Sequence, residues 1–324
     1  MGKEDCGRRG LQLASRSLED RKSMPEPARR ADYAPLAGFA APARPRSELW
    51  RTAVGAALMT ALYFMLIVAM LWIAETLFGT WAALSLANDL SGGRTPRGVL
   101  LLLYSFLLLV LAVAIPLRLL HGRGLETLLG PRDAALRDFV RVAGGLSLFA
   151  ILLLPLSAMS EQAGRHLSFG VWLSWLPFAL PGLVIQVAAE EMAFRGYLQQ
   201  QLAARFRASA IWMGVPSALF AFAHFAPGTF GAMAWLIVFW SALFGVLASD
   251  LTARTGNLGA AIGFHFANNF SSIFLIGVFG DLDGLALWNL VVNLQDPAHL
   301  LPILAVDAVW TVAAWLLARV MLRV

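Results

Sequence analysis

The chain has 324 residues, of which 59% are hydrophobic and only 14% charged. A soluble domain averages about 45–50% apolar and about 25% charged, so the composition excludes a soluble globular fold, and repeated apolar runs of about 20 residues read as transmembrane helices. A formal net charge of +5 raises nucleic acid as a partner, but the basic residues form no single patch and that partner is excluded. The one cysteine, Cys6, rules out an internal disulfide framework and a cysteine-rich metal cluster.

Residues 1–48 are rich in Arg, Pro, Ala and Glu and contain no apolar block. They lack the apolar core of a signal peptide and read as a disordered cytoplasmic tail. The start MGKEDC matches a myristoylation signal only loosely, with Cys6 where Ser or Thr is wanted, and Met24 offers an alternative start. The membrane domain then occupies residues 49–324. Hydropathy predicts eight spans near 50–75, 98–119, 139–160, 168–189, 209–226, 230–250, 257–280 and 300–319, an all-α polytopic architecture. The fourth span should run on helically to about Ala204, with Pro177, Pro181 and Gly182 kinking its outer half.

Charge supports this count. With the N-terminus inside, 22 of the 25 Lys and Arg fall on the inner side, leaving only Arg94, Arg97 and Arg165 outside. That asymmetry puts both termini in the cytoplasm. Arg-rich inner loops and the lack of a targeting segment point to a bacterial inner membrane.

Ionisable groups at membrane depth are expensive and are functional candidates by default. They are Glu75, Glu190, Glu191, Arg195, His224 and His265, with Asn268 and Asn269 as uncharged companions. Glu75 sits near the outer end of the first span, where solvation is available. His121, His166 and His299 fall in predicted loops and carry no expected role. The others form three clusters on three spans, Glu190-Glu191-x-x-x-Arg195, Phe220-x-x-x-His224 and His265-x-x-x-Asn269. A rise of about 1.5 Å per residue puts Glu190, His224 and His265 roughly 16–25 Å from the inner arginines, deep enough to converge on one site.

Spacing assigns partners. Glu191 and Arg195 are i and i+4 with the acid first, the favourable order for a helical pair. Glu190 lies about 100° round the helix and keeps no such partner. His265 and Asn269 share a face. A buried glutamate can take a proton from water and deliver it to a leaving amine. A histidine can hold that water or bind a metal, and His265 with Asn269 can donate to an oxyanion. The same residues could be polar glue between helices, or Glu190 a proton relay in a transporter. The sequence shows neither an internal repeat nor the paired broken helices of a transporter.

EExxxR, FxxxH and HxxxN in that order on successive apolar segments resemble the CPBP family, the CAAX prenyl proteases and bacteriocin-processing enzymes also called the Abi family. RTGNLGAAIGFHFANN, residues 254–269, resembles the segment leading into that family's last motif. The resemblance covers about residues 180–275; the first three spans and the tail carry no motif. It implies an eight-helix intramembrane endopeptidase, labelled a metalloprotease in the family, that acts on a peptide or protein reached from the lipid bilayer. Glu190 would be the general base, helped by His224, with His265 and Asn269 as the oxyanion site and Glu191 and Arg195 orienting the first motif. Glu190, His224 and His265 are enough ligands for one Zn2+, yet the helical H-E-x-x-H pair is absent, so a metal-free site is equally compatible. A non-catalytic membrane partner that keeps the fold, such as a self-immunity or assembly factor, is the reading from another class.

Gly259-x-x-x-Gly263 predicts a close helix approach one turn before His265. Trp50, Trp72, Trp81, Trp172, Trp175 and Trp310 read as an interfacial belt. Phe220, Phe222 and Phe225 read as core packing.

Overall fold

The computed structural model describes residues 33–324, and the compact unit described below runs from Pro35 to Val324. The expectations for Cys6, the N-terminal MGKEDC and Met24 fall outside the described residues. Residues ahead of the expected boundary at 48 are folded. Ala34–Phe39 is helical and Ala41–Arg46 forms a 3₁₀ turn, with Leu36 and Phe39 buried. Apolar anchors therefore draw the last part of the predicted tail into the fold.

The first helix, α1 (Leu49–Phe78), runs 30 residues without a breaker and stops at Gly79, whose φ of 85° an L side chain rarely adopts. A short helix, α2 (Thr80–Gly92), folds back from it. Pro96 opens α3 (Pro96–Ser105), where the Thr95 hydroxyl caps the Gly98 N–H at 3.0 Å. After a one-residue break at Phe106, α4 (Leu107–His121) completes that crossing and ends at Gly122, again left-handed. Next come α5 (Arg132–Ser157) and the strand β1 (Ala163–Arg165). Then α6 (Phe169–Glu191) passes into a π-helix, Met192–Gln199, and ends as α7 (Gln200–Arg205). The remaining helices are α8 (Gly214–Ala223), α9 (Ala234–Thr255), α10 (Gly259–Phe270) and α11 (Pro297–Leu322).

Among the described residues six helices are long and apolar enough to cross a membrane, and the protein is an integral membrane protein. The fourth of them is continuous over Phe169–Arg205, as the sequence requires, and the helix persists through Pro177 and Pro181. The irregularity falls later, in the π segment that contains Arg195. Two predicted spans are shorter than hydropathy indicates. The fifth is a broken helix over Ser209–Ala223 ending at His224. The seventh leaves the helix after Leu275, where the chain turns extended as β2 (Ile276–Val278). With β3 (Trp288–Leu290) this adds a small sheet of order β1-β3-β2 to the otherwise helical fold, antiparallel for β1 and parallel for β2. Hydropathy alone cannot separate a buried strand from the end of a helix.

Helix α10 is the centre of the bundle. Every residue from Gly259 to His265 is buried, the pattern of a helix enclosed on all sides. The core around it gathers Val142 and Leu146 of α5, Phe220 of α8, Phe244, Ala248 and Leu251 of α9, and Ala314 and Ala318 of α11. The predicted small-residue contact is present. A methyl group at Gly263 would lie 2.9 Å from the Ala143 nitrogen and 3.0 Å from the Phe139 carbonyl of α5, and one at Gly259 would strike the Ala135 carbonyl. Gly263→Leu is therefore expected to destabilise by about 1–3 kcal/mol through overpacking. Gly144→Ala, on α5 with nothing within 4 Å of the added carbon, leaves thermal unfolding in detergent unchanged. Equal melting temperatures for both variants would show that α10 does not need the close approach.

The tryptophans divide. Trp50, Trp72 and Trp81 are exposed along α1 and α2, as a belt requires, but Trp172 is 7% exposed and donates its indole N–H to the Phe274 carbonyl at 2.8 Å. It ties α6 to the segment that follows α10.

Candidate active site

Helix α6 delivers the acidic pair at its C-terminal end, and α10 faces it with His265. Glu191 is 0% exposed, and its Oε1 accepts from Arg195 Nη1 and from His265 Nδ1, each at 2.8 Å. The i, i+4 pair read from the sequence is thus present and carries a second load. An ionised carboxylate only accepts, so Nδ1 of His265 holds a proton and Nε2 is the nitrogen left for the site. That nitrogen lies 3.5 Å from Glu190 Oε2. Oε2 of Glu190 is buried and accepts no hydrogen bond from the protein. One helix therefore supplies two carboxylates of different standing, one neutralised by a guanidinium and one held in reserve.

Arg195 is also fully buried. Its Nη2 donates to the Gly245 carbonyl of α9 at 3.2 Å, and its guanidinium lies 4.5 Å from the centre of the Phe220 ring. A desolvated cation on an aromatic face is worth about 2 kcal/mol or more. Phe220 is the hub of the site. Its ring centre is 4.4 Å from that of His224 and 6.0 Å from that of His265. The first residue of the FxxxH motif therefore packs the guanidinium and both imidazoles on one ring, while Phe222 and Phe225 are exposed and lean on Trp235.

His224 stands at the C-terminus of α8, where the backbone leaves the helix. Its Nδ1 lies 2.8 Å from the Phe220 carbonyl. A carbonyl only accepts, so Nδ1 is the protonated nitrogen and Nε2 carries the lone pair. Half-buried, it can hold a water.

Asn269 lies one turn beyond His265 on α10, and the two side chains reach the same helix, α6. Asn269 does not touch the acidic pair. Its Nδ2 donates to Gln186 Oε1 at 2.9 Å, and its Oδ1 accepts from Asn268 Nδ2 at 3.1 Å. The structure thus joins Glu190, Glu191, Arg195 and His265 directly, brings His224 in through Phe220, and attaches Asn269 through Gln186. Screening for charges at membrane depth passes over Gln186, an uncharged residue in an apolar run. The i, i+4 relation to Glu190 is the signal that points to it.

Among the described residues no group of three or more His, Cys, Asp or Glu side chains is placed to hold a metal. Glu190 and His265 are a pair of donors, short of the three that catalytic zinc takes from protein.

Two expected bystanders prove otherwise or stay silent. His121, predicted in a loop, is 5% exposed at the end of α4, with Nε2 2.9 Å from the Tyr197 hydroxyl and Nδ1 2.9 Å from the Arg46 carbonyl. Beside it Gln200 donates to the Phe39 carbonyl at 2.7 Å and accepts from Arg123 at 2.6 Å. Burial pulls that guanidinium down to about 10. This network anchors the C-terminal end of the π segment. Glu75 is exposed at the corner of α1 and α2 and accepts from the Thr80 hydroxyl at 3.2 Å, away from the site.

Residues 172–271 match the family described as type II CAAX prenyl endopeptidase Rce1-like. No curated protein and no solved structure matches the chain. The matched stretch begins at the indole that ties α6 to the segment after α10 and contains all seven defining residues of the three motifs. The segment in which two carboxylates meet one imidazole is therefore the part of the chain that is similar to the Rce1-like family of CAAX prenyl endopeptidases.

Proposed function

We propose that the chain is an intramembrane endopeptidase in which Glu190 activates water for attack on a peptide carbonyl. The observation that carries this reading is the contrast between neighbouring carboxylates. Oε2 of both carboxylates is buried without a hydrogen bond, but Glu191 is neutralised by Arg195 at 2.8 Å through Oε1, whereas Glu190 has no guanidinium bonded to it among the described residues. A carboxylate without such a partner is the natural proton acceptor of the site.

In this mechanism His224 Nε2 and Glu190 hold the water between them. Glu190 takes one of its protons as the oxygen attacks the scissile carbonyl. The developing oxyanion is met by the Asn269 amide and by the His265 imidazole. Glu190 then passes its proton to the leaving amine, and the C–N bond breaks. Glu191 and Arg195 keep His265 in place throughout. No step is routed through a metal.

Ser209–Ala223 and Gly259–Leu275 are read as two further membrane-embedded segments, giving eight, with both arginine-rich termini in the cytoplasm of a bacterium. The substrate class is a membrane-tethered peptide, in line with the family. The test is proteomics of membranes from cells that carry either the wild-type or the Glu190→Ala chain. Uncut membrane peptides are expected to accumulate with Glu190→Ala, and identical peptide profiles would favour a non-catalytic scaffold.

A further inference from the structure

Gln186 lies beside the site and outside the three motifs. It interrupts the apolar run Leu183-Val184-Ile185, is 6% exposed, and lies one helical turn before Glu190 on the same face of α6. A buried amide without a partner costs about 1–3 kcal/mol, so its position calls for a bond. Among the described residues its side chain has one hydrogen bond, accepted by Oε1 from Asn269 Nδ2 at 2.9 Å.

The direction of that bond matters. Asn268 Nδ2 donates to Asn269 Oδ1 at 3.1 Å, and Asn269 Nδ2 donates to Gln186 Oε1. Three amides are therefore aligned head to tail across α10 and α6, and the amide of Asn269 is pinned at both ends. The chain turns the NH2 end of Asn269 toward the helix that bears Glu190 and its carbonyl end away. Without an acceptor at residue 186 the amide can rotate by half a turn, and it then presents an oxygen where an oxyanion must be stabilised.

We propose that Gln186 is a positioning residue that fixes the donor end of Asn269 toward the reacting carbonyl. The inference rests on the proteolytic reading given above. It predicts a defect in the chemical step and none in substrate binding, because only the transition state develops the negative charge.

The test uses the full-length protein in proteoliposomes with a membrane peptide identified by the accumulation experiment. Gln186→Met keeps the length and packing but removes the acceptor. It is expected to lower kcat about tenfold or more, approaching the loss on removing an oxyanion donor, with KM and melting temperature unchanged. Gln186→Glu keeps an oxygen for Asn269 Nδ2 and restores most of the rate. In an Asn269→Ala background Gln186→Met has no further effect, since it acts through a side chain no longer present. Unchanged kcat in Gln186→Met, a loss confined to KM, or losses that multiply in the double variant would each overturn the proposal. A fully active Glu190→Gln in the same assay would instead overturn the proteolytic reading, and this inference with it.

Discussion

Glu190→Gln is expected to lower kcat for peptide cleavage by about 10²–10⁴-fold, the range for loss of a general base, while the protein folds and inserts as before. The substitution is nearly isosteric, and Glu190 makes no hydrogen bond that the fold relies on. Its Oε2 stands 3.5 Å from His265 Nε2 and has no hydrogen bond among the described residues. The amide cannot take a proton from water, so the loss should fall on kcat. The measurement is single-turnover cleavage in proteoliposomes beside a melting curve of the same preparation. Full activity in Glu190→Gln would remove Glu190 from the role of base. A collapse of the melting temperature would make it a structural residue instead.

Arg195→Met should show the opposite pattern. Both partners of the Glu191–Arg195 pair have side chains that are 0% exposed, and removing one leaves a buried charge uncompensated. Such a change costs about 3–5 kcal/mol, a fall in melting temperature on the order of 10 °C. The loss extends to the Gly245 carbonyl and the Phe220 ring, which both contact the guanidinium. The double variant Glu191→Gln/Arg195→Met removes both charges and is expected to regain part of that stability. It remains a poor enzyme, since no carboxylate then holds Nδ1 of His265. Thermal unfolding in detergent measures the first effect and the cleavage assay the second. A double variant no more stable than Arg195→Met would mean that the guanidinium matters for its packing rather than its charge.

The site was legible in the sequence wherever chemistry is costly in lipid. Glu190, Glu191, Arg195, His224 and His265 stand out because an ionisable group among apolar residues requires a reason. The Glu191–Arg195 contact followed from spacing alone. What spacing could not assign was the second partner of Glu191. That helix positions one residue on a face, but which face of another helix meets it depends on packing, here the glycine contact between α5 and α10. Gln186 was hidden because an uncharged amide does not register as a charge at membrane depth, and its i, i+4 relation to Glu190 is the one signal that points to it. The long spans followed from hydropathy, whereas the shortened ones did not. Ile276-Gly277-Val278 continues the apolar run after Leu275, and only pairing with β3 reveals that the helix has ended.

Both helices that carry the reacting groups change pitch immediately beyond them. Helix α6 becomes a π-helix at Met192–Gln199 and α10 at Ser271–Leu275. A π turn holds one residue more than an α turn, and each residue of an α-helix advances about 100° about the axis. Along α6 the far end is clamped, with Gln199, Gln200 and Gln201 each no more than 1% exposed and Gln199 donating to the Ser249 carbonyl at 3.0 Å. The wider turn therefore acts as a phase shifter between a fixed anchor at the C-terminal end of the helix and the carboxylates. Were the segment to shorten by one residue into plain α-helix, the clamp would hold and Glu190 and Glu191 would swing by about a quarter turn, away from His265. The angular setting of the two carboxylates is thus encoded by the number of residues downstream of them as much as by their identity.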